Sequence, residues 1–155
     1  MKLDITYLQP GEIMVVKEPQ FISTILGSCV SVCLFDSIRK VAGMNHYLFP
    51  EFDDSGAERN KYGDIAIRAL LDKILKSGSP IDSLVAKIFG GAKINSSNLR
   101  IFNAGQQNAQ IATLLLKRFK IPIIAEDLGG NQGRRLEFNT GTGKVKLTYL
   151  KNLEK

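Results

Sequence analysis

Histidine occurs once and cysteine only twice in this chain of 155 residues. One imidazole and two thiols cannot fill the four positions of an ordinary tetrahedral zinc site without borrowed carboxylates, so no metal centre is expected; an organic cofactor is a separate question, and the reaction implied below needs none. Cys29 and Cys33 stand four residues apart, and in a strand their Cα atoms would be too distant for good disulfide geometry, so no disulfide is expected either. Long apolar runs are also lacking: none approaches the ~20 residues needed to cross a bilayer. Residues 1–6 do not carry the uninterrupted apolar stretch of a signal peptide. These absences together imply a cytoplasmic chain with two reduced thiols, each either packed in a core or used as a nucleophile.

Repeats, low-complexity tracts and linker-like stretches are missing as well, and residues 1–155 read as a single domain with enough length for one sizeable core. The formal net charge is +6. Such an excess suits an acidic partner, but its densest clusters, Lys117-Arg118 with Lys120 and Arg134-Arg135, are short and read as solvated surface. No base-reading or stacking motif accompanies them, so nucleic acid is not expected as a partner.

Residues 30–35 place Val30, Val32 and Leu34 at every second position, the first two β-branched, and residues 40–48 follow after the polar Asp36-Ser37-Ile38-Arg39 segment, which predicts a β-hairpin. Asp64 is expected to cap a helix whose apolar positions are Ile65, Ala66, Ala69, Leu70, Ile74 and Leu75, with Ser77-Gly78 as its stop. A strand is expected over 84–89 and a helix over 105–119, with Ile111, Leu114, Leu115 and Phe119 on its buried side. A further strand is expected over 121–125. The end of the chain reads as a hairpin, residues 134–139 and 144–150 joined by the turn Thr140-Gly141-Thr142-Gly143. Hairpins favour antiparallel pairing, so the expected fold is α+β, with two main helices against largely antiparallel sheet layers.

A symmetric turn between Ser37 and Ile38 would set Asp36 against Arg39 and bring Cys29 directly opposite His46, where paired Cβ atoms lie about 4.5–5.5 Å apart. A slip of one residue would part the two side chains to opposite faces, and a slip of two would leave them diagonal. From spacing alone, a packed cysteine beside a structural histidine fits as well as a nucleophile beside its base. The Gly27-Ser28 step before Cys29 adds weight to the second reading. It lets the backbone bend and offers amide N–H groups near the sulfur, as an oxyanion site requires. Cys33 has no such setting and reads as a packed strand residue. A catalytic histidine needs a third group to hold its tautomer, and the hydroxyls of Ser23 and Thr24 lie just upstream. Ser23 shares the parity of Cys29, although the Gly27-Ser28 bend can break alternation.

The block running from Thr24 through Leu26-Gly27-Ser28-Cys29 to Asp36, followed by Gly43-Met44-Asn45-His46 and Pro50, resembles the chemoreceptor glutamine deamidases, the CheD family. The resemblance continues through Tyr62-Gly63-Asp64, Gly90-Gly91-Ala92 and the segment 124–135, covering about Gly11 to Leu150. It implies an α+β cysteine-hydrolase fold shared with certain deamidating bacterial toxins, and a Cys-His-Thr triad. Cys29 would be the nucleophile and His46 its base. The family's threonine often stands six positions before the cysteine, where this chain has Ser23, so Ser23 takes the orienting role with Thr24 as its competitor.

The implied reaction is hydrolysis of selected glutamine side chains on the cytoplasmic helices of chemoreceptors to glutamate and ammonia. Hydrolysis of glutamyl methyl esters could use the same acyl-enzyme. The family also pairs with a CheC-type phosphatase of the phosphorylated response regulator, so the alternative is a chain that acts mainly as that enzyme's regulatory partner. A second departure from the family pattern lies at Gly105-Gln106-Gln107-Asn108, where a charged residue commonly precedes the asparagine.

Overall fold

Two sheets and two helices stack in three layers in the computed structural model, which describes residues 2–54 and 56–151. The chain runs β1 (Ile5–Tyr7), β2 (Ile13–Val16), β3 (Phe21–Leu26), β4 (Val30–Asp36), β5 (Val41–Asn45), α1 (Gly63–Lys76), β6 (Leu84–Gly90), α2 (Leu99–Arg118), β7 (Ile123–Leu128), β8 (Arg134–Asn139) and β9 (Val145–Tyr149). One sheet has the order β1-β3-β8-β9 and the other β2-β5-β4-β6-β7. The pairs β1·β3 and β6·β7 are parallel and all other pairs antiparallel, which matches the expected α+β class.

Alternation along β4 explains the layering. Val30, Val32 and Leu34 project to one face and pack against Ile67, Leu70, Ile111 and Leu115 of the two helices. Cys33 and Phe35 project to the other face and meet Ile22, Leu26, Leu136 and Phe138 of the four-stranded sheet. All seven residues of β4 are buried, as a strand covered on both faces must be. Cys33 therefore lies in the core between the sheets.

Several boundaries differ from the expected ones for identifiable reasons. The β4–β5 register pairs Asp36 with Val41, two residues away from the symmetric turn. The buried Asp36 carboxylate accepts from the backbone N–H groups of Ile38 and Arg39 and draws the turn out over Ser37–Lys40, with Lys40 at φ 57°. Helix α1 opens at Gly63 with Tyr62 in the N-cap position, so Asp64 is not the cap. The Asp64 carboxylate instead accepts from the N–H of Phe52 at 3.0 Å and of Ile65 at 2.9 Å.

Helix α2 begins six residues before Gly105, and Gly105 sits inside it because a Cβ there would lie 2.3 Å from the Ala92 carbonyl. Leu114, expected on the buried side, is half exposed, whereas Leu116 is buried. The expected strand over 121–125 is β7, displaced toward the C-terminus.

Arg134 is a further correction. It is 1% exposed, not solvated, and its guanidinium pairs with Asp127 and with the carbonyls of Gly129 and Gln132. The expected surface cation is the clasp of the Gly129-Gly130-Asn131-Gln132 turn.

Candidate active site

Strand β3 ends at Leu26 in the four-stranded sheet and β4 begins at Val30 in the five-stranded one, so residues 27–29 carry the chain between layers. Backbone bonds hold this crossing tightly. The Gly27 carbonyl accepts from Ala92 N–H and the Cys29 carbonyl from Gly91 N–H, both at 2.9 Å. Gly90, at φ +114°, permits that approach, since a Cβ there would stand 2.1 Å from the Cys29 oxygen. Cys29 is left partly exposed, with its side chain against the inter-sheet core.

His46 follows the last residue of β5 and is buried. The bridge Val30↔Tyr47 continues the β4–β5 register past Cys33↔Met44, which places Ser31 opposite His46 and makes Cys29 its diagonal neighbour. Diagonal pairs are separated by roughly 7–8 Å at the backbone, within reach of a long ring. The direct opposition expected from a symmetric turn is thus replaced by a diagonal one on the same sheet face. Between the bridge and the ladder, the side-chain oxygen of Asn45 accepts from Val32 N–H at 2.8 Å, a bond that keeps the strand ends together.

The hydroxyl beside the imidazole belongs to Thr24, not Ser23. Thr24 Oγ1 lies 2.8 Å from His46 Nδ1 and also donates to the Leu8 carbonyl at 2.8 Å. A hydroxyl has one proton, and here it goes to Leu8, so the imidazole must be the donor in the other bond. Nδ1 therefore carries hydrogen and Nε2 is the bare, basic nitrogen. Nε2 is buried and has no hydrogen-bond partner among the described residues.

Ser23 was expected from the family's six-residue spacing and from its shared parity with Cys29, but neither survives the change of sheet at residues 27–29. In β3 it is Ile22, Thr24 and Leu26 that alternate together, and Ile22 and Leu26 belong to the inter-sheet core. Ser23 and Thr24 both line a cavity of about 470 Å³ that His46, Tyr7, Gln9 and Arg135 complete.

Burial sets the resting charges. It lowers the His46 pKa to about 4 and pushes the Cys29 thiol up to about 11, the latter partly offset by a hydrogen bond from the Cys29 backbone N–H. At neutral pH the pair is a neutral thiol and a neutral imidazole. Cys33 is raised further by complete burial, with the Lys87 charge opposing. Among the described residues no group of three or more His, Cys, Asp or Glu side chains is placed to hold a metal ion.

Asn108, on α2, is fully buried, and its side chain donates to the carbonyls of Ser28 and Leu48. The sequence held one sign of it: Asn108 shares the helical stripe of Ala104, Ile111 and Leu115, all buried. A cavity of about 970 Å³ lies along α2 and is lined by Phe102, Gln106, Leu114, Gly91 and Gly130. Neither Cys29 nor His46 lines it.

Residues 48–149 match the family described as CheD chemotactic sensory transduction, a segment that begins after Cys29 and His46. Full-length relatives extend across both. The "Probable chemoreceptor glutamine deamidase CheD" of Sulfurimonas denitrificans is 39% identical, covering 99% of each chain. The "Chemoreceptor glutamine deamidase CheD" of Thermotoga maritima is 40% identical over 87% of this chain and 85% of its own. Among solved structures, Neisseria meningitidis protein NMB0706 is 11% identical with a TM-score of 0.49, covering 83% of this chain and 63% of that one.

Proposed function

Given that the chain belongs to the CheD family, we propose that it is a cysteine amidohydrolase that deamidates glutamine side chains of chemoreceptors, with Cys29, His46 and Thr24 as its working residues. One observation carries the assignment of roles: the Thr24 hydroxyl bonds both His46 Nδ1 and the Leu8 carbonyl, which leaves Nε2 free as the base.

The resting pair is neutral, so the proton passes from Cys29 Sγ to His46 Nε2 as the sulfur attacks the amide carbon. The amide oxygen becomes an oxyanion beside the Cys29 N–H. The C–N bond then breaks and ammonia leaves with the proton from Nε2. Water gives a proton to the same nitrogen and attacks the thioester. The C–S bond breaks, the sulfur recovers its proton, and glutamate is released. A glutamyl methyl ester would follow the same course with methanol as leaving group. The chain works in the cytoplasm on this reading, where the receptor helices are exposed. Among the described residues no helix is long and apolar enough to cross a membrane. A CheC-type phosphatase is its proposed protein partner.

The test is peptide mass analysis of a receptor cytoplasmic fragment after incubation with the parent chain and with Cys29→Ala. Conversion of amide to acid at defined glutamines by the parent alone is the expected outcome. Equal conversion by Cys29→Ala would overturn the assignment, and no conversion by either chain would favour a purely regulatory partner.

A further inference from the structure

We infer that Asn108 is a positioning residue that aims the backbone N–H of Cys29 at the oxyanion, an inference that rests on the site described above. Its side-chain nitrogen lies 3.0 Å from the Ser28 carbonyl and 2.8 Å from the Leu48 carbonyl, so both amide hydrogens are engaged. Its own backbone carbonyl accepts from the Tyr47 hydroxyl at 2.6 Å. The residue is fully buried in an otherwise apolar stripe, where a leucine or alanine would serve packing alone.

The Ser28 carbonyl and the Cys29 N–H belong to one planar trans peptide and point in opposite directions. Holding the first therefore fixes the direction of the second. Of the three successive carbonyls at the crossing, those of Gly27 and Cys29 are held by backbone N–H groups of Ala92 and Gly91. Only the middle one, of Ser28, is held by a side chain among these three, and only there can a substitution release the peptide. The Cys29 N–H already points toward its own sulfur, as the lowering effect of that bond on the thiol shows. The second bond, to Leu48, ties the same nitrogen to the segment that follows His46. One side-chain amide thus relates the nucleophile's peptide to the base's strand.

An oxyanion donor matters for attack on a carbonyl and not for displacement at a saturated carbon. Asn108→Ser and Asn108→Asp should lower kcat for amide hydrolysis by about 100-fold, the usual effect of losing one such donor. KM, and the rate at which iodoacetamide alkylates Cys29 once corrected for any change in the thiol pKa, should stay within about threefold of the parent, since neither binding nor displacement at a saturated carbon uses an oxyanion donor. Tyr47→Phe, which frees the Asn108 backbone while keeping the ring, should give a smaller kcat loss of the same kind. It also serves as the test if the Asn108 variants do not fold.

A parallel fall in hydrolysis and alkylation would mark Asn108 as a support of the fold alone and overturn the inference. So would an Asn108→Ser chain with parental kcat, or, if that chain does not fold, a Tyr47→Phe chain with parental kcat. Cys29→Ala, run beside them, separates the two levels. Hydrolysis surviving in Cys29→Ala overturns the site itself, whereas hydrolysis lost there and kept in Asn108→Ser overturns only the role of Asn108.

Discussion

Ser23 and Thr24 are adjacent hydroxyls, both buried, and only Thr24 bonds the imidazole of His46. Thr24→Ala removes the acceptor of the Nδ1 proton and leaves the Leu8 carbonyl unpaired, which costs stability of about 1–2 kcal/mol. Turnover should fall at least roughly 10-fold, because the imidazole loses both its orientation and its tautomer. Thr24→Ser keeps the hydroxyl and should remain active, and Ser23→Ala should be nearly silent. Steady-state kinetics of the three variants, with thermal unfolding as the check on folding, decides the matter. A dead Ser23→Ala beside an active Thr24→Ala would require the site to be redrawn.

At the scale of elements, the crossing from β3 to β4 is shaped by its neighbour β6, whose last residue must be glycine. Gly90→Ala combines positive φ with a Cβ placed 2.1 Å from the Cys29 carbonyl, so the segment carrying Cys29 has to move. Gly129→Ala makes a matched comparison, with φ +84° and no atom within 4 Å of the added methyl. The second should cost only the backbone strain of about 1–2 kcal/mol and keep activity. The first should cost more and abolish hydrolysis, as denaturant unfolding and kinetics on the pair would show.

Elements were legible in the sequence where side-chain periodicity was strong, as in β4 and in the stripe Ile111-Leu115 of α2. They were less legible where one polar side chain reshaped a turn. The Asp36 carboxylate lengthened the first turn and changed the register, and no pattern within the strands records that bond. The early turns of α2 were missed because Gly105 reads as a helix start, when its role is close approach to Ala92. In the site, Cys29 and His46 came to one sheet face from a hairpin argument, although diagonally. The hydroxyl that meets His46 is that of Thr24, one position after the Ser23 expected from the family spacing and from parity with Cys29, because neither spacing nor alternation holds across a change of sheet. The burial of Arg134 could not be read from a short run of charge, since its partners come from a turn that folds back over it.

For the molecule as a whole, burial of titrating side chains bounds the pH range of stability. His46 titrates at about 4 in the fold against 6.5 ordinarily, so between those values the unfolded chain binds a proton that the fold does not. Stability falls as pH drops through that window, by on the order of 3 kcal/mol in full. Cys29, raised from 9.0 to about 11, acts oppositely: above about pH 9 the unfolded chain releases a proton the fold retains, and stability declines as pH rises. Denaturant unfolding across pH should show a plateau between these limbs. His46→Gln should flatten the acid limb and Cys29→Ala should weaken the alkaline one, while an acid limb unchanged in His46→Gln would place its origin in the carboxylates.

The bond between Thr24 and His46 joins one sheet to the other, across an interface that also holds the apolar side chains of Ile22, Leu26 and Met44. A chain in which each sheet has formed but the two have not docked would hold Cys29 and His46 on one sheet and lack the Thr24 hydroxyl that orients the imidazole. The tautomer of His46 is then a property of the docked sheets, and a molecule that opens along this seam loses the bond that sets it.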